Sequence, residues 1–240
     1  MSSRERPPNQ LLQALPETEF EALRPFLKPF EMVSNAVLAE SAAPSARVYL
    51  PHAGVIAVTV RLARAQTLAV AMIGRDSIIG AAESLGVSVS AIDAAVLFPG
   101  MASIVEMAEF RTLAARNAAL RNLLARHEQA LGAQVQQAAA CNTSHSVEAR
   151  LSRWLLRACD LWDGMDLPMT QELLARLIGV RRNAISIVAH SLQQAGVIRY
   201  SRGRIRITNN EALQATACEC YQAVTAKHDR LLGSSREAQP

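Results

Sequence analysis

The hydrophobic pattern changes character along the chain, and its first half is typical of a β domain. Between about Val33 and Met107, short β-prone runs alternate with glycines and polar residues: "ARVYLP", "GVIAVTV", "TLAVAMI", "AAVLF" and "ASIVEM". Several short strands at regular spacing predict a sandwich or barrel. Ahead of them, "LLQALPETEFEALRPFLKPF" predicts a short helix that begins at Pro16 and its acidic first turn.

A long helix is predicted next. From Ala108 to about Cys141 the chain has no proline and one glycine, Gly132, and is rich in good helix formers. An imperfect seven-residue repeat predicts a coiled-coil dimer helix over about 108–143. Its seam positions are Leu113, Asn117, Leu120, Leu124, His127 and Leu131. The alternative is a helix that packs only on its own domain. For His127 a pH-sensing role is weighed separately against a role as a packing residue, and the packing role is expected.

The polar segment "CNTSHS" interrupts the helical pattern and predicts a hinge. Ser146 can cap the following helix, and Glu148 suits its first turn. That helix has one apolar face with helical spacing, formed by Val147, Leu151, Trp154, Leu155 and Ala158. We therefore place a domain boundary at the hinge, with residues 1–144 before it and residues 145–240 after it.

Two short helices with a glycine between them follow. Thr170 can cap the first, Gly179 ends it, and the second begins near Arg181 and stops at Gly196. This order predicts a helix-turn-helix. The second helix separates into a buried face, with Ile185, Val188, Ala189 and Leu192, and an opposite face, with Arg182, Asn183, Ser186, Ile187 and His190.

The sequence "VIRYSRGRIRIT" after these helices predicts a β-hairpin. In it Arg202, Arg204 and Arg206 alternate with Gly203, Ile205 and Ile207, so one face is basic and the other is apolar. A hairpin beside a helix-turn-helix forms the wing of a winged helix-turn-helix. The whole chain is thus predicted to be α+β, with an N-terminal β-roll, a long dimerisation helix and a C-terminal winged helix-turn-helix.

The distribution of charge along the chain indicates a function for this architecture. The chain carries a net charge of +4, which by itself decides little. The stretch from Leu174 to Thr208, however, holds seven arginines and no acidic residue. Double-stranded DNA is a dense polyanion, so a surface formed by these arginines would be suited to bind it. The predicted DNA-binding residues are Thr170, Gln171, Arg181, Arg182, Asn183, Ser186, Ile187, His190, Arg202 and Arg204.

These residues divide into two roles. Arg182 suits guanine, Asn183 suits adenine, and Ile187 suits a thymine methyl group, so they would read sequence. Arg202 and Arg204 would hold phosphates and set position. An alternative reading is a binding or docking module whose DNA affinity is non-specific. The sequence shows no nucleophile–base pair, phosphate loop or metal set, so an enzyme is not predicted.

The four cysteines, Cys141, Cys159, Cys218 and Cys220, match no known zinc spacing, which predicts reduced thiols in a cytoplasmic protein. Cys218 and Cys220 form a close pair for which a redox role remains open. The N-terminus is charged and Pro-rich, and no signal peptide is predicted.

The chain resembles the cyclic-AMP receptor protein and fumarate–nitrate reductase regulator (Crp/Fnr) family from about Leu11 to Gly233. The motifs that carry the resemblance are "AACNTSHSVEARLSRWLL", "LPMTQELLARLIGVRRNAIS", "LQQAGVIRYSRGRIRI" and "ACECY". The resemblance implies a bacterial homodimer that regulates transcription at an inverted-repeat operator. It further implies a cyclic-nucleotide-binding-like jelly roll, RNA polymerase as a partner and a small-molecule effector of unknown identity. Regulators of this family carry Glu where Asn183 stands, so their usual operator is not expected here.

The residues that hold cyclic AMP in this family are not matched. The Gly-Glu pair is replaced by Gly80-Ala81, and the Arg-Ser/Thr-Ala run falls near Ile92-Asp93-Ala94 without an arginine. A cyclic phosphate would meet Asp93 and Glu83 without a cation, so cyclic AMP is not expected to bind. No cysteine precedes Cys141, so an N-terminal iron–sulfur cluster is not expected either. No cofactor is predicted, although His52 and His127 leave a haem as an alternative.

Overall fold

The computed structural model describes residues 6–63 and 67–233. The chain divides into two compact units. The first lies within Met1–Val58, Ile73–Ala133 and Ala226–Pro240, and the second within Thr59–Met72 and Gln134–Thr225. The predicted boundary at residue 144 lies later on the long helix and stays a prediction. No helix within the described ranges combines the length and the apolar character needed to cross a bilayer.

The N-terminal segment forms two short helices where one was predicted. The bounds are α1 (Gln10–Ala14) and α2 (Glu17–Leu23), followed by a 3₁₀ turn over Arg24–Phe26. The side chain of Asn9 caps α1 by accepting hydrogen bonds from the backbone N–H groups of Leu11 and Leu12. The helix α2 begins after Pro16, as predicted.

Among the residues that the structure describes, the β domain contains the five predicted strands and two others. Its strands are β1 (Lys28–Met32), β2 (Val37–Ala39), β3 (Arg47–Pro51), β4 (Val55–Arg61), β5 (Thr67–Ile73), β6 (Asp93–Phe98) and β7 (Gly100–Glu106). One sheet has the order β1-β7-β3, and the other has the order β2-β6-β4-β5. The pairs β1–β7, β3–β7 and β2–β6 are antiparallel. A short helix, α3 (Ala81–Ser84), lies between β5 and β6. The β-roll prediction is confirmed.

The sheet cores follow from the alternation of side chains along the strands. In β6 every second residue is buried, namely Ala94, Val96 and Phe98. The turn from β6 to β7 at Pro99 and Gly100 brings the chain against the backbone of Ala53. A Cβ atom at Gly100 would collide with the Ala53 carbonyl group, so this close approach requires glycine.

The predicted long helix is interrupted at Asn117. It forms α4 (Met107–Arg116) and α5 (Ala118–Ser144), with Asn117 in an extended conformation between them. The Asn117 side chain accepts a hydrogen bond of 2.8 Å from the backbone N–H of Leu120, and thereby satisfies a donor of the first turn of α5. The heptad through Leu113, Asn117 and Leu120 therefore does not run along one continuous helix.

Most side chains of the predicted dimer seam pack inside their own unit, and the seam itself stays a prediction. Leu120, Leu124 and His127 are only 5 %, 1 % and 2 % exposed. Leu113 packs against the same cluster as the leucines. The His127 Nε2 atom lies 2.6 Å from the Ser77 hydroxyl, which makes this histidine a packing residue. Leu131 is half-buried. The alternative reading, a helix packed on its own domain, describes this face of α5.

The C-terminal half has the predicted order. The helix α6 (Val147–Leu161) is followed by β8 (Asp166–Leu167), the pair α7 (Gln171–Ile178) and α8 (Arg182–Gln194), and the hairpin of β9 (Ile198–Ser201) and β10 (Arg204–Ile207). Two further helices, α9 (Asn210–Thr216) and α10 (Cys220–Leu232), complete the described chain. Ser146 caps α6 and Thr170 caps α7, as predicted. The sheet order is β8-β10-β9.

Candidate nucleic-acid interface

The angle between α7 and α8 is set by the short link at Gly179. This residue has φ +73° and ψ 40°, and its N–H donates to the carbonyl oxygen of Ala175. Such a left-handed residue ends a helix at little cost only when it is glycine. Leu174, Leu177 and Ile178 of α7 are buried, as are Ile185, Ala189 and Leu192 of α8, so the two helices share one core. Val188, predicted to be buried, is half-buried.

The opposite face of α8 projects away from this core. Arg181, Arg182, Asn183 and His190 are exposed, and Ile187 is 71 % exposed. Ile187 has no apolar surroundings to bury it, although isoleucine is among the residues most often found inside proteins. No side chain within the described residues caps the first turn of α8. Its backbone N–H groups at this end suit an anionic oxygen.

Ser186 and Gln171 contact each other, so neither is free to reach a base without rearrangement. The Ser186 hydroxyl donates to Gln171 Oε1 at 2.7 Å and also lies 3.1 Å from the carbonyl oxygen of Arg182. The Thr170 hydroxyl accepts the Leu173 N–H at 3.1 Å. These three predicted DNA-binding residues therefore also join and cap the helix pair.

The hairpin separates its residues into two faces as predicted. Ile205 and Ile207 are buried, whereas Arg204 and Arg206 are exposed. The turn holds Arg202 at φ +48° and Gly203 at φ +78°. Two successive residues with positive φ are typical of the tight turn that joins twisted antiparallel strands. Arg202 therefore stands exposed at the tip of the wing.

An acidic residue outside the predicted interface, Asp166, changes the charge of the wing. Asp166 on β8 accepts a hydrogen bond of 3.0 Å from Arg204 Nε and one of 3.1 Å from Arg206 Nη2. The hydrogen bonds from Arg206 and Arg204 lower the pKa of the Asp166 carboxyl, which keeps it ionised. Asp166 thus compensates part of the positive charge predicted at Arg204. Arg202 does not take part in these two ion pairs.

The structure brings together four side chains that could bind a metal, so the prediction of no metal site is not confirmed. Cys141, His145, Cys218 and Cys220 lie together in the second unit, and their ligand atoms all lie within 4.8 Å of one another. Cys159 is not one of them. The two histidines considered for haem are each hydrogen-bonded to a serine: the Nε2 atom of His52 lies 2.9 Å from the Ser103 hydroxyl, and that of His127 contacts Ser77.

The comparisons with known proteins agree with this geometry. Residues 149–216 match the family model of the Crp-like helix-turn-helix domain. No curated protein matches the chain. Among solved structures, one is a protein from Eubacterium rectale described as a transcriptional regulator of the Crp/Fnr family, which is 14 % identical in sequence with a TM-score of 0.68. The alignment covers 86 % of this chain and 96 % of that protein.

Two further structures show the same fold. FixK2 from Bradyrhizobium japonicum is 13 % identical with a TM-score of 0.69, and covers 80 % of this chain and 98 % of its own. A CRP/FNR-family transcriptional regulator from Thermus thermophilus is 16 % identical with a TM-score of 0.62, and covers 79 % of this chain and 98 % of its own. Residues 149–216 are therefore similar to the Crp-like helix-turn-helix domain, and the chain as a whole has the fold of these Crp/Fnr-family structures.

Proposed function

We propose that the chain is a sequence-specific DNA-binding transcription regulator that acts as a homodimer on an inverted-repeat operator. The observation that carries the proposal is the outward face of α8, where Ile187 is 71 % exposed beside exposed Arg182 and Asn183. A guanidinium, an amide and an aliphatic group are the side chains that read guanine, adenine and thymine in the major groove. A surface for non-specific phosphate binding would need the arginines but not Asn183 or Ile187.

The homodimer is supported by a second face of α5, on the side away from the buried leucines. Along it, every seventh residue is small and the residues between carry amide groups: Ala118, Ala125, Gly132 and Ala139, with Asn122, Gln129 and Gln136. All are exposed except Gly132, which is half-exposed. Small residues let two helix backbones approach closely, and polar seam residues fix register. We propose this face, and not the leucine face, as the dimer seam.

The proposed effector response follows from the β-roll. Glu83 is buried and its carboxylate accepts a hydrogen bond of 3.1 Å from the Ser45 hydroxyl, while Asp93 accepts one of 3.0 Å from the Ser41 backbone N–H. Two carboxylates held in this way oppose a cyclic phosphate. We propose that cyclic AMP is not the effector. Any effector must bind one arrangement of the helix pairs better than another in order to regulate.

Replacing single arginines separates base reading from phosphate binding. Arg182→Ala should cost about 1–3 kcal/mol of discrimination at one base position, which is roughly 5- to 150-fold. Arg202→Ala should weaken all duplexes alike and reduce the slope of log affinity against log salt by about 1. The measurement is fluorescence anisotropy with selected and random duplexes at several salt concentrations.

The matched control for these variants is Arg24→Ala, which removes one exposed arginine from the first unit. Arg24 pairs with Glu21 three residues away on the surface, and such an exposed ion pair contributes little energy. Its DNA affinity should equal that of the unmodified chain. Equal losses for Arg182→Ala and Arg202→Ala on specific and random DNA would instead support the alternative function, a docking module with non-specific DNA affinity.

Asp166→Asn tests the compensation of charge in the wing. The substitution removes the carboxylate that pairs with Arg204 and Arg206 and leaves an amide of the same shape. Each guanidinium released for phosphate binding should steepen the salt slope by about 0.9. We expect higher affinity for all sequences, most clearly at low salt. An unchanged salt dependence would show that these arginines do not approach the DNA.

A further inference from the structure

Four metal-binding side chains meet where the last turns of α5 lie against the segment between α9 and α10. Cys141 lies in the last turn of α5, and His145 follows the end of that helix at Ser144. The backbone N–H of His145 still donates to the carbonyl oxygen of Cys141 at 3.2 Å, so the two residues keep the spacing of one helix face. Cys218 and Cys220 flank Glu219 at the start of α10. All of these residues belong to the second unit. The three thiols are buried, and the His145 side chain is 22 % exposed.

The spacing of the ligand atoms matches a single tetrahedral ion. Cys141 Sγ lies 3.5 Å from Cys218 Sγ, and Cys220 Sγ lies 3.6 Å from His145 Nδ1. Zinc bonds of about 2.3 Å to sulfur and about 2.0–2.1 Å to nitrogen place two sulfurs about 3.8 Å apart and a sulfur and a nitrogen about 3.6 Å apart. An iron–sulfur cluster with several irons would need a wider spread of ligands.

The residues around the cluster are arranged as they are around metal sites. His145 Nε2 lies 3.1 Å from the Glu219 carboxylate, which leaves Nδ1 directed at the thiols. A carboxylate on the outer ring nitrogen fixes the orientation of a metal-binding histidine and raises its basicity. The Gln137 amide donates to Cys220 Sγ at 3.1 Å, and the backbone N–H of Cys220 donates to the Cys218 sulfur.

The charge around the cluster supplies an independent reason for a metal. Arg150 and Arg153 are 8 % and 5 % exposed, and both interact electrostatically with the Cys141 thiol. Arg150 Nε, Arg153 Nε and Arg153 Nη2 are buried without a hydrogen-bond partner. Buried cations are costly unless they are compensated. Three thiolates around one divalent cation carry one net negative charge, which would compensate these guanidinium groups.

We propose that Cys141, His145, Cys218 and Cys220 bind one Zn²⁺ ion, and that Glu219 positions His145 for it. Four protein ligands close the coordination sphere, so the ion is structural and not catalytic. It joins the end of α5, next to the Ser146 cap of α6, to the start of α10. Binding free energy at such a site contributes directly to folding. The proposal does not depend on DNA binding.

The experiment uses the full-length protein, freed of metal by chelation under reductant and titrated with Co²⁺. Tetrahedral cobalt with thiolate ligands gives visible d–d bands and a near-ultraviolet charge-transfer band. We expect saturation at one Co²⁺ per chain and displacement by one equivalent of Zn²⁺. X-ray absorption of the zinc-loaded protein should show three sulfurs at about 2.3 Å and one nitrogen at about 2.0–2.1 Å.

Variants test the assignment of each residue. Cys220→Ser should abolish the charge-transfer band at stoichiometric cobalt, whereas Cys159→Ser, a cysteine of the same unit outside the cluster, should leave it unchanged. Glu219→Gln should keep the tetrahedral spectrum but lower zinc affinity about 10- to 100-fold in a chelator competition. A role of Glu219 in folding alone would leave the metal affinity of the folded protein unaltered.

The proposal is overturned if no saturable cobalt spectrum forms, or if Cys220→Ser retains the spectrum of the unmodified chain. Should that variant fail to fold, the absorption spectrum of the unmodified protein decides, and fewer than three sulfur ligands contradict the assignment. A Cys141–Cys218 disulfide in metal-free protein that persists under reductant, detected by mass spectrometry after thiol alkylation, would equally contradict it.

Discussion

The double variant Ala125→Glu, Gly132→Glu should be monomeric and should lose most of the affinity for operator DNA. Both positions lie on the exposed face of α5 that we propose as the dimer seam. In a two-fold dimer, each introduced carboxylate would lie close to the same carboxylate of the partner subunit. The proposed seam has room only for small side chains, so the glutamates would also clash. Joining two half-site readers raises affinity by about 10²- to 10⁴-fold, and this factor should be lost.

The folded monomer should tolerate this double variant. A Cβ atom at Gly132 meets nothing within 4 Å, and glutamate has a higher helix propensity than glycine. Sedimentation velocity gives the oligomeric state, and anisotropy with a selected operator fragment gives the affinity. Ala108→Glu, at an exposed position of α4, is the control and should remain dimeric. A double variant that stays dimeric would place the seam elsewhere.

Phe110→Ala should destabilise the first unit by about 3–5 kcal/mol. The Phe110 ring is fully buried in a cluster with residues of α1, α2 and α5, among them Leu12, Phe20 and Leu124. Its removal leaves a cavity at the point where the N-terminal helices meet α4 and α5. A loss of this size is a large part of the total stability of an ordinary domain, about 5–15 kcal/mol.

Urea unfolding followed by circular dichroism checks this stability prediction. Phe26→Ala is the matched control, because the same ring at position 26 is 38 % exposed. The control should shift the midpoint only slightly, while Phe110→Ala should move it strongly to lower urea. Equal shifts for the two variants would show that the cluster around Phe110 is not a tightly packed core.

The features that sequence predicted correctly are those fixed by local chemistry. The two faces of α8, the cap at Thr170, the glycine end at Gly179 and the alternating hairpin each depend on residues a few positions apart. The five β-prone runs became strands for the same reason. The strands β1 and β2 were missed because "KPFEM" and "VLA" are short and partly exposed, so they lack a clear alternation.

The register of the dimer seam could not be derived from periodicity alone. A leucine repeat indicates which face of a helix is covered but not what covers it. In α5 the first unit buries Leu120 and Leu124, and the face that we propose as the dimer seam carries alanines, a glycine and amides. Such a face has no hydrophobic signature, so a search for hydrophobic periodicity does not select it.

Contacts between residues far apart in the sequence could also not be predicted from it. Cys141 and Cys218 are 77 positions apart, and Asp166 is 38 and 40 positions from Arg204 and Arg206. One local signal was present, since Cys141 and His145 have the helical spacing of two ligands on one face. The pairing of Asp166 with the wing follows only from the strand order β8-β10-β9.

Selection of bound fragments from genomic DNA with the purified protein will show whether a homodimer reads an inverted repeat through α8. In the proposed two-fold symmetric dimer, the two copies of α8 must enter successive major grooves of the DNA. We therefore expect an enriched inverted repeat whose half-sites have centres about 10–10.5 base pairs, or about 34–36 Å, apart. Recovery of no enriched sequence at physiological salt, or of single half-sites without a symmetric partner, would contradict this expectation.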